Sequence, residues 1–145
     1  MKIDGGCHCG AISYDAEINP DKVIICHCTD CQTISGAPYR VNVPVSLSKF
    51  DLRGVPREYV KTGDSGDQVA TTFCGNCGAA LYSYKGDKPL FVFLRLGSVR
   101  QRAELRPRLQ GFCRSAMPWV MDISGVPRIP ASSGPPPPPA PERTP

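Results

Sequence analysis

The apolar residues of this chain come in short alternating or β-branched runs, and no long helical period appears. Ala11–Ala16 predicts a strand, and Asn19-Pro20-Asp21 predicts the turn that ends it. Val23–Cys28 is a β-branched run and predicts a second strand. Thr29 is placed to cap a short helix over Asp30–Ser35, with Gly36 to stop it. Tyr39–Val43, Lys49–Gly54 and Glu58–Gly63 read as further extended segments, the last two closing in glycine turns. Val69–Phe73 and Ala80–Tyr84 flank Cys74–Gly78 and predict a strand–knuckle–strand hairpin. Leu90–Leu96 is the most apolar stretch and is expected to be the central strand. The pattern predicts a mainly β fold with short helical turns over residues 1–130. From Ala131 onward the chain runs through five consecutive prolines with no apolar period, which predicts a disordered, partly polyproline II tail over residues 131–145. Pro135–Pro139 could dock into an aromatic groove of a partner, although an inert solvated tail is the simpler expectation.

With 145 residues and 41% hydrophobic content, the chain suits one domain with a core. No apolar run approaches membrane-spanning length, so no membrane partner is expected. Met1–Gly6 lacks the apolar region of an export signal, which points to a reducing, cytoplasmic compartment.

The cysteines change the picture most. Seven of the eight fall in three clusters: Cys7-His8-Cys9, Cys26-His27-Cys28-Thr29-Asp30-Cys31 and Cys74-Gly75-Asn76-Cys77-Gly78. On extended chain both sulfurs of a Cys-x-Cys pair project from one face, and a tight glycine turn converges those of Cys-x2-Cys. Cys7 and Cys9 with Cys74 and Cys77 make a four-thiolate set drawn from distant segments, the usual design of a fold-stapling zinc. Cys26, Cys28 and Cys31 come from one local segment and leave a fourth position open. A closed site holds a fold together, whereas an open one can bind and activate a ligand. A disulfide framework and an iron–sulfur cluster are weaker alternatives. The serious rival is that both sites are closed and purely structural. Seven thiolates and two dications would bring the formal charge of +4 down by three, which removes most of the case for a polyanion partner; no nucleic acid is expected.

Other residues carry weaker signals. His8 and His27, lying between cysteines, are expected beside the metal or at the surface rather than as ligands. Asp30 is either a proton acceptor or a helix-start carboxylate. Arg40, Arg95 and Arg114 could hold carboxylates, although each singly is expected at the surface. Trp119 is a pocket wall or a core residue. Cys113 is expected to be a buried free thiol that could in principle close the second site.

Gly5-Gly6-Cys7-His8-Cys9-Gly10, Cys26–Cys31 followed by Ser35-Gly36, Phe73–Gly78 and Pro118-Trp119 together resemble the glutathione-dependent formaldehyde-activating enzyme family, which also includes centromere protein V. The resemblance covers roughly residues 3–129. It implies an Mss4-like β-sheet fold and two Zn2+ per chain: a structural zinc on Cys7, Cys9, Cys74 and Cys77, and a catalytic one on Cys26, Cys28 and Cys31. It also implies a carbon–sulfur lyase that interconverts S-hydroxymethylglutathione with glutathione and formaldehyde. The rival readings are a non-catalytic zinc scaffold or interaction module, and a thiol or zinc redox sensor.

Overall fold

The structure, a computed structural model, describes residues 1–130. The proline-rich tail expected over residues 131–145 lies outside the described residues. Among the described residues, ten strands form two sheets. The smaller holds β1 (Lys2–Gly6), β2 (Ser13–Glu17) and β5 (Phe50–Arg53) in the order β1-β2-β5. The larger holds β3 (Ile24–Cys26), β4 (Arg40–Ser46), β6 (Arg57–Thr62), β7 (Gln68–Phe73), β8 (Ala80–Lys85), β9 (Phe91–Arg95) and β10 (Leu109–Gly111). Its order is β10-β3-β4-β9-β8-β7-β6, so the most apolar run does form the middle strand. All described pairings are antiparallel except β10 with β3. The one α-helix among the described residues, α1, spans Thr29–Ser35, and five 3-10 turns complete their mainly β architecture.

Alternation along the strands sorts the larger sheet into two faces. Val43 and Val45 of β4, Tyr82 of β8, and Val92 and Leu94 of β9 are buried together with Tyr14 and Ile3 of the smaller sheet. Phe50 bridges the sheets: its ring lies 5.6 Å from Tyr14 and 5.2 Å from Tyr82. The opposite face carries Cys26, Arg40, Asn42, Phe93, Ser83, Thr71 and Tyr59. The registers Cys26↔Arg40, Ser83↔Phe93, Thr71↔Ser83 and Tyr59↔Thr71 line them up across the strands. That face is the floor of the candidate site.

Several expectations need correction. β1 and β10 form although neither was read from the sequence. The Cys7–Cys9 pair lies in a turn after β1 rather than on extended chain, with the Gly10 N–H donating to the Cys7 carbonyl at 3.3 Å and Gly10 at φ 81°. Thr29 is the first helical residue and not the cap. Cys28 is the N-cap, and its sulfur accepts from the Cys31 N–H. Gly36 ends the helix in the left-handed conformation, as its position predicts.

Candidate functional site

The structure brings the seven clustered cysteines together in two groups. Within each, the sulfurs lie within 4.8 Å of one another. The first group joins the β1–β2 turn to the β7–β8 knuckle. A register shift between Thr71 and Phe73 breaks the β7 ladder just before Cys74. Gly78 N–H then donates to the Cys74 carbonyl at 2.8 Å, Cys74 N–H to Ala79 O at 3.0 Å, and Gly78 sits at φ 73°. This folds Cys74 and Cys77 onto one point. Cys7 and Cys9 approach from the other sheet: Cys7 Sγ to Cys9 Sγ is 3.6 Å, and Cys9 Sγ to Cys74 Sγ is 3.7 Å. Four sulfurs at ~2.3 Å from a tetrahedral zinc would stand about 3.8 Å apart. The observed spacing fits that and is far from a disulfide; all eight cysteines are free. Backbone groups already favour the thiolates. Ile12 N–H donates to Cys7 Sγ at 3.2 Å. The Asn76 side chain and Ala11 N–H hold the Cys9 thiol below its ordinary value, and the Ala79 and Cys9 N–H groups do the same for Cys77. Cys74 has N–H donors from Cys77 and Asn76, yet burial and two neighbouring thiols push it up. Four crowded sulfurs thus keep a proton that a dication would displace. The donors fit zinc.

The second group is Cys26 at the end of β3, Cys28 two residues on, and Cys31 in the first turn of α1. Cys31 is buried, and Cys26 and Cys28 are half-buried. Burial and hydrogen bonding to Cys28 push the Cys31 thiol up. Burial works against the Cys28 thiolate too, but the thiol and N–H of Cys31 outweigh it and hold Cys28 down. No fourth Cys, His, Asp or Glu joins this group among the described residues. The triad walls a cavity of about 380 Å³, a size suited to a small molecule. Its floor is the polar sheet face, where Asn42, Thr71 and Ser83 are buried, and its rim carries Lys61, Lys85 and Tyr59.

The remaining candidates separate clearly. His27 is buried, not at the surface. Its Nε2 lies 2.8 Å from Gln110 Oε1 and its ring packs edge-on to Tyr39. His8 is exposed. Asp30 lies at the start of α1, and Lys61 Nζ reaches both its oxygens at 2.6 and 2.7 Å, which raises the Lys61 pKa. Arg114 is exposed and does not line the triad cavity. Arg95 overturns the surface expectation. It is 5% exposed, its Nη1 donates to Asn42 Oδ1 at 2.6 Å, and burial, then repulsion from Arg40, lowers its pKa to about 9. Trp119 is 54% exposed, so it is neither core nor a wall of the triad cavity. Cys113 is exposed rather than buried and stands outside the triad, its Sγ 3.7 Å from Gln110 O. Sequence reasoning missed Asn42, Thr71 and Ser83; their alternation in strands of opposite pattern was the available signal. No helix among the described residues is long and apolar enough to cross a membrane.

Comparison with known proteins fits this geometry. A protein of Schizosaccharomyces pombe described as an uncharacterized lyase is 31% identical over 94 residues, a match covering 63% of this chain and 65% of that protein. The aligned part is therefore just under two thirds of that relative's length. The crystal structure of a Rhodobacter sphaeroides protein superposes with a TM-score of 0.56 at 18% identity, covering 74% of this chain and 98% of that one, a likeness of fold. The family model described as glutathione-dependent formaldehyde-activating enzyme matches residues 2–115, a span that contains both cysteine groups and every described strand. On that match, the chain belongs to the glutathione-dependent formaldehyde-activating enzyme family.

Proposed function

We propose that the protein is a zinc-dependent carbon–sulfur lyase that handles a thiol–aldehyde adduct, with S-hydroxymethylglutathione as substrate and glutathione and formaldehyde as products. Two Zn2+ are bound: a structural ion on Cys7, Cys9, Cys74 and Cys77, and an open one on Cys26, Cys28 and Cys31. Residues 1–130 form the enzyme domain, and a reducing, cytoplasmic setting suits its eight free thiols. The observation that carries the reading is the three-sulfur group in the wall of a cavity with no fourth protein ligand among the described residues.

Zinc held by three thiolates supplies a centre that takes a thiol as thiolate, and it is a weaker Lewis acid than zinc on neutral ligands. The chain's own residues do the rest. Cys28 caps α1 while facing the cavity, so the helix start fixes the triad's spacing. Gln32 anchors the helix by donating from Nε2 to the carbonyls of His27 and Ser115, at 2.7 and 2.8 Å. Cleavage of the adduct removes the hydroxyl proton, makes the C–O bond a carbonyl and breaks C–S, the sulfur keeping the electron pair. The buried polar floor orients the hydroxymethyl group. Asp30 is the one carboxylate in the cavity wall, but Lys61 occupies both its oxygens. We assign it to the ion pair at the mouth, and the proton leaves to solvent there.

The test is exchange spectroscopy of the adduct against free glutathione and formaldehyde, with the spontaneous rate subtracted. The native protein should accelerate exchange, Cys28→Ser should lose the acceleration, and Asp30→Asn should keep most of it. Exchange in Cys28→Ser as fast as in the native protein would refute the assignment.

A further inference from the structure

Arg95 presents a charge almost wholly removed from water with only part of its donors met. Nη1 reaches Asn42 Oδ1, while Nε and Nη2 have no partner. Arg40 lies on the same face of β4 as Asn42, and its Nε is also buried and unpartnered. Neither guanidinium belongs to an ion pair among the described residues. Leaving a buried cation unpaired beside a half-buried one is expensive, so such a pair implies an anion that completes it. The cysteine triad accounts for part of this: three thiolates on a dication carry one negative charge against two positive ones. One positive charge is left for a ligand. Arg95 and Arg40 both line a second cleft of about 730 Å³ whose wall also holds Arg100 and Arg102 and contains no Asp or Glu. Arg100 is already paired with Asp4. Arg40 lines the triad cavity as well, so the two spaces meet at its side chain.

We infer that Arg40 and Arg95 form a carboxylate-binding site at this junction. The thiol taken by the triad therefore bears a carboxylate, its sulfur in the smaller cavity and its carboxylate on the arginine pair. This rests on the thiol-binding reading above. A planar guanidinium with two free donors matches the two oxygens of a carboxylate, and such charge-assisted bonds are strong when water is excluded. The site would select acidic thiols such as glutathione over neutral ones.

Isothermal titration calorimetry of the zinc-loaded protein tests this with three probes: glutathione, N-acetylcysteamine (a thiol without a carboxylate) and S-methylglutathione (carboxylates without a free thiol). The native protein should bind glutathione about tenfold or more tightly than N-acetylcysteamine. Arg95→Gln should erase that preference and leave N-acetylcysteamine affinity unchanged. S-methylglutathione should bind the native protein and be lost in the variant. Glutamine retains a donor for Asn42. Arg40→Gln, at a less buried position, repeats the test should Arg95→Gln fail to fold. Equal affinity of the native protein for the two thiols, or a preference that survives in a folded variant, overturns the inference. Arginine-dependent binding of S-methylglutathione as tight as that of glutathione, with no binding of N-acetylcysteamine, upholds the carboxylate site and sinks the thiol reading instead.

Discussion

Cys74→Ser is expected to leave the protein unfolded or aggregated, whereas Cys28→Ser remains folded and binds one zinc fewer. Cys74 is 2% exposed and belongs to the buried core. Its sulfur stands 3.7 Å from that of Cys9, 65 residues away, so the group they share ties the smaller sheet to the larger. A structural zinc contributes roughly 10–16 kcal/mol in small zinc-dependent folds, while whole domains are stable by only about 5–15 kcal/mol. Losing one of four ligands therefore takes a large share of the total, and the long loop reopens. Cys28 is different. Its sulfur caps α1, and serine is among the best capping residues, so the substitution retains the N-cap while removing a soft metal ligand. The rest of the triad is local and ties no distant segments. Thermal melts with zinc analysis of both variants decide the matter, and equal destabilisation would make the second site structural too. The same asymmetry orders metal loss: mild chelation should strip the triad first, with far-UV circular dichroism unchanged.

The sequence was most legible where structure is set locally. Cysteine spacing identifies both groups because each cysteine cluster is only three to six residues long. The β-branched run at Val23 gives β3, the segments flanking the cysteine knuckle give β7 and β8, and Gly36 marks the end of α1. β1 was missed because Lys-Ile-Asp-Gly-Gly is short and ends in two glycines, and tertiary pairing overrides so weak a propensity. β10 is three residues long and exists because it docks beside β3, with the His27 N–H donating to Gly111 O at 3.0 Å. The candidate pocket was illegible for a related reason. Asn42, Thr71, Ser83 and Phe93 come from four strands, and only the register across the larger sheet puts them on one face. Arg95 reads as a surface residue in any window of sequence, because a lone arginine in an apolar run carries no sign of what lies opposite it. Trp119 misled in the other direction, since a single tryptophan suggests a buried role that its exposure denies.

Adding glutathione should change the zinc coordination from a mixture to all sulfur, and Cys113 should play no part in it. The only cysteine available to close the triad is Cys113, and the fold holds it away. β10 fixes the chain beside β3 up to Gly111, and Phe112 then turns it in the left-handed region at φ 57°. Cys113 enters a 3-10 turn closed by Ser115 N–H to Phe112 O and Ala116 N–H to Cys113 O, both at 3.0 Å. Its thiol faces Gln110 O and solvent. Closing the triad with it would require unwinding that turn and releasing the Ser115 carbonyl that Gln32 holds at the base of α1. With one closed and one open ion, zinc absorption spectroscopy averages about 3.5 sulfurs and 0.5 light atoms per zinc at rest. Saturating glutathione should bring that average to about four sulfurs, because a thiolate replaces water at the open ion. Cys113→Ala should give the same two spectra. Four sulfurs per zinc before any thiol is added, falling in Cys113→Ala, would mean that the second site is closed by the protein. The lyase reading would then give way to a zinc scaffold.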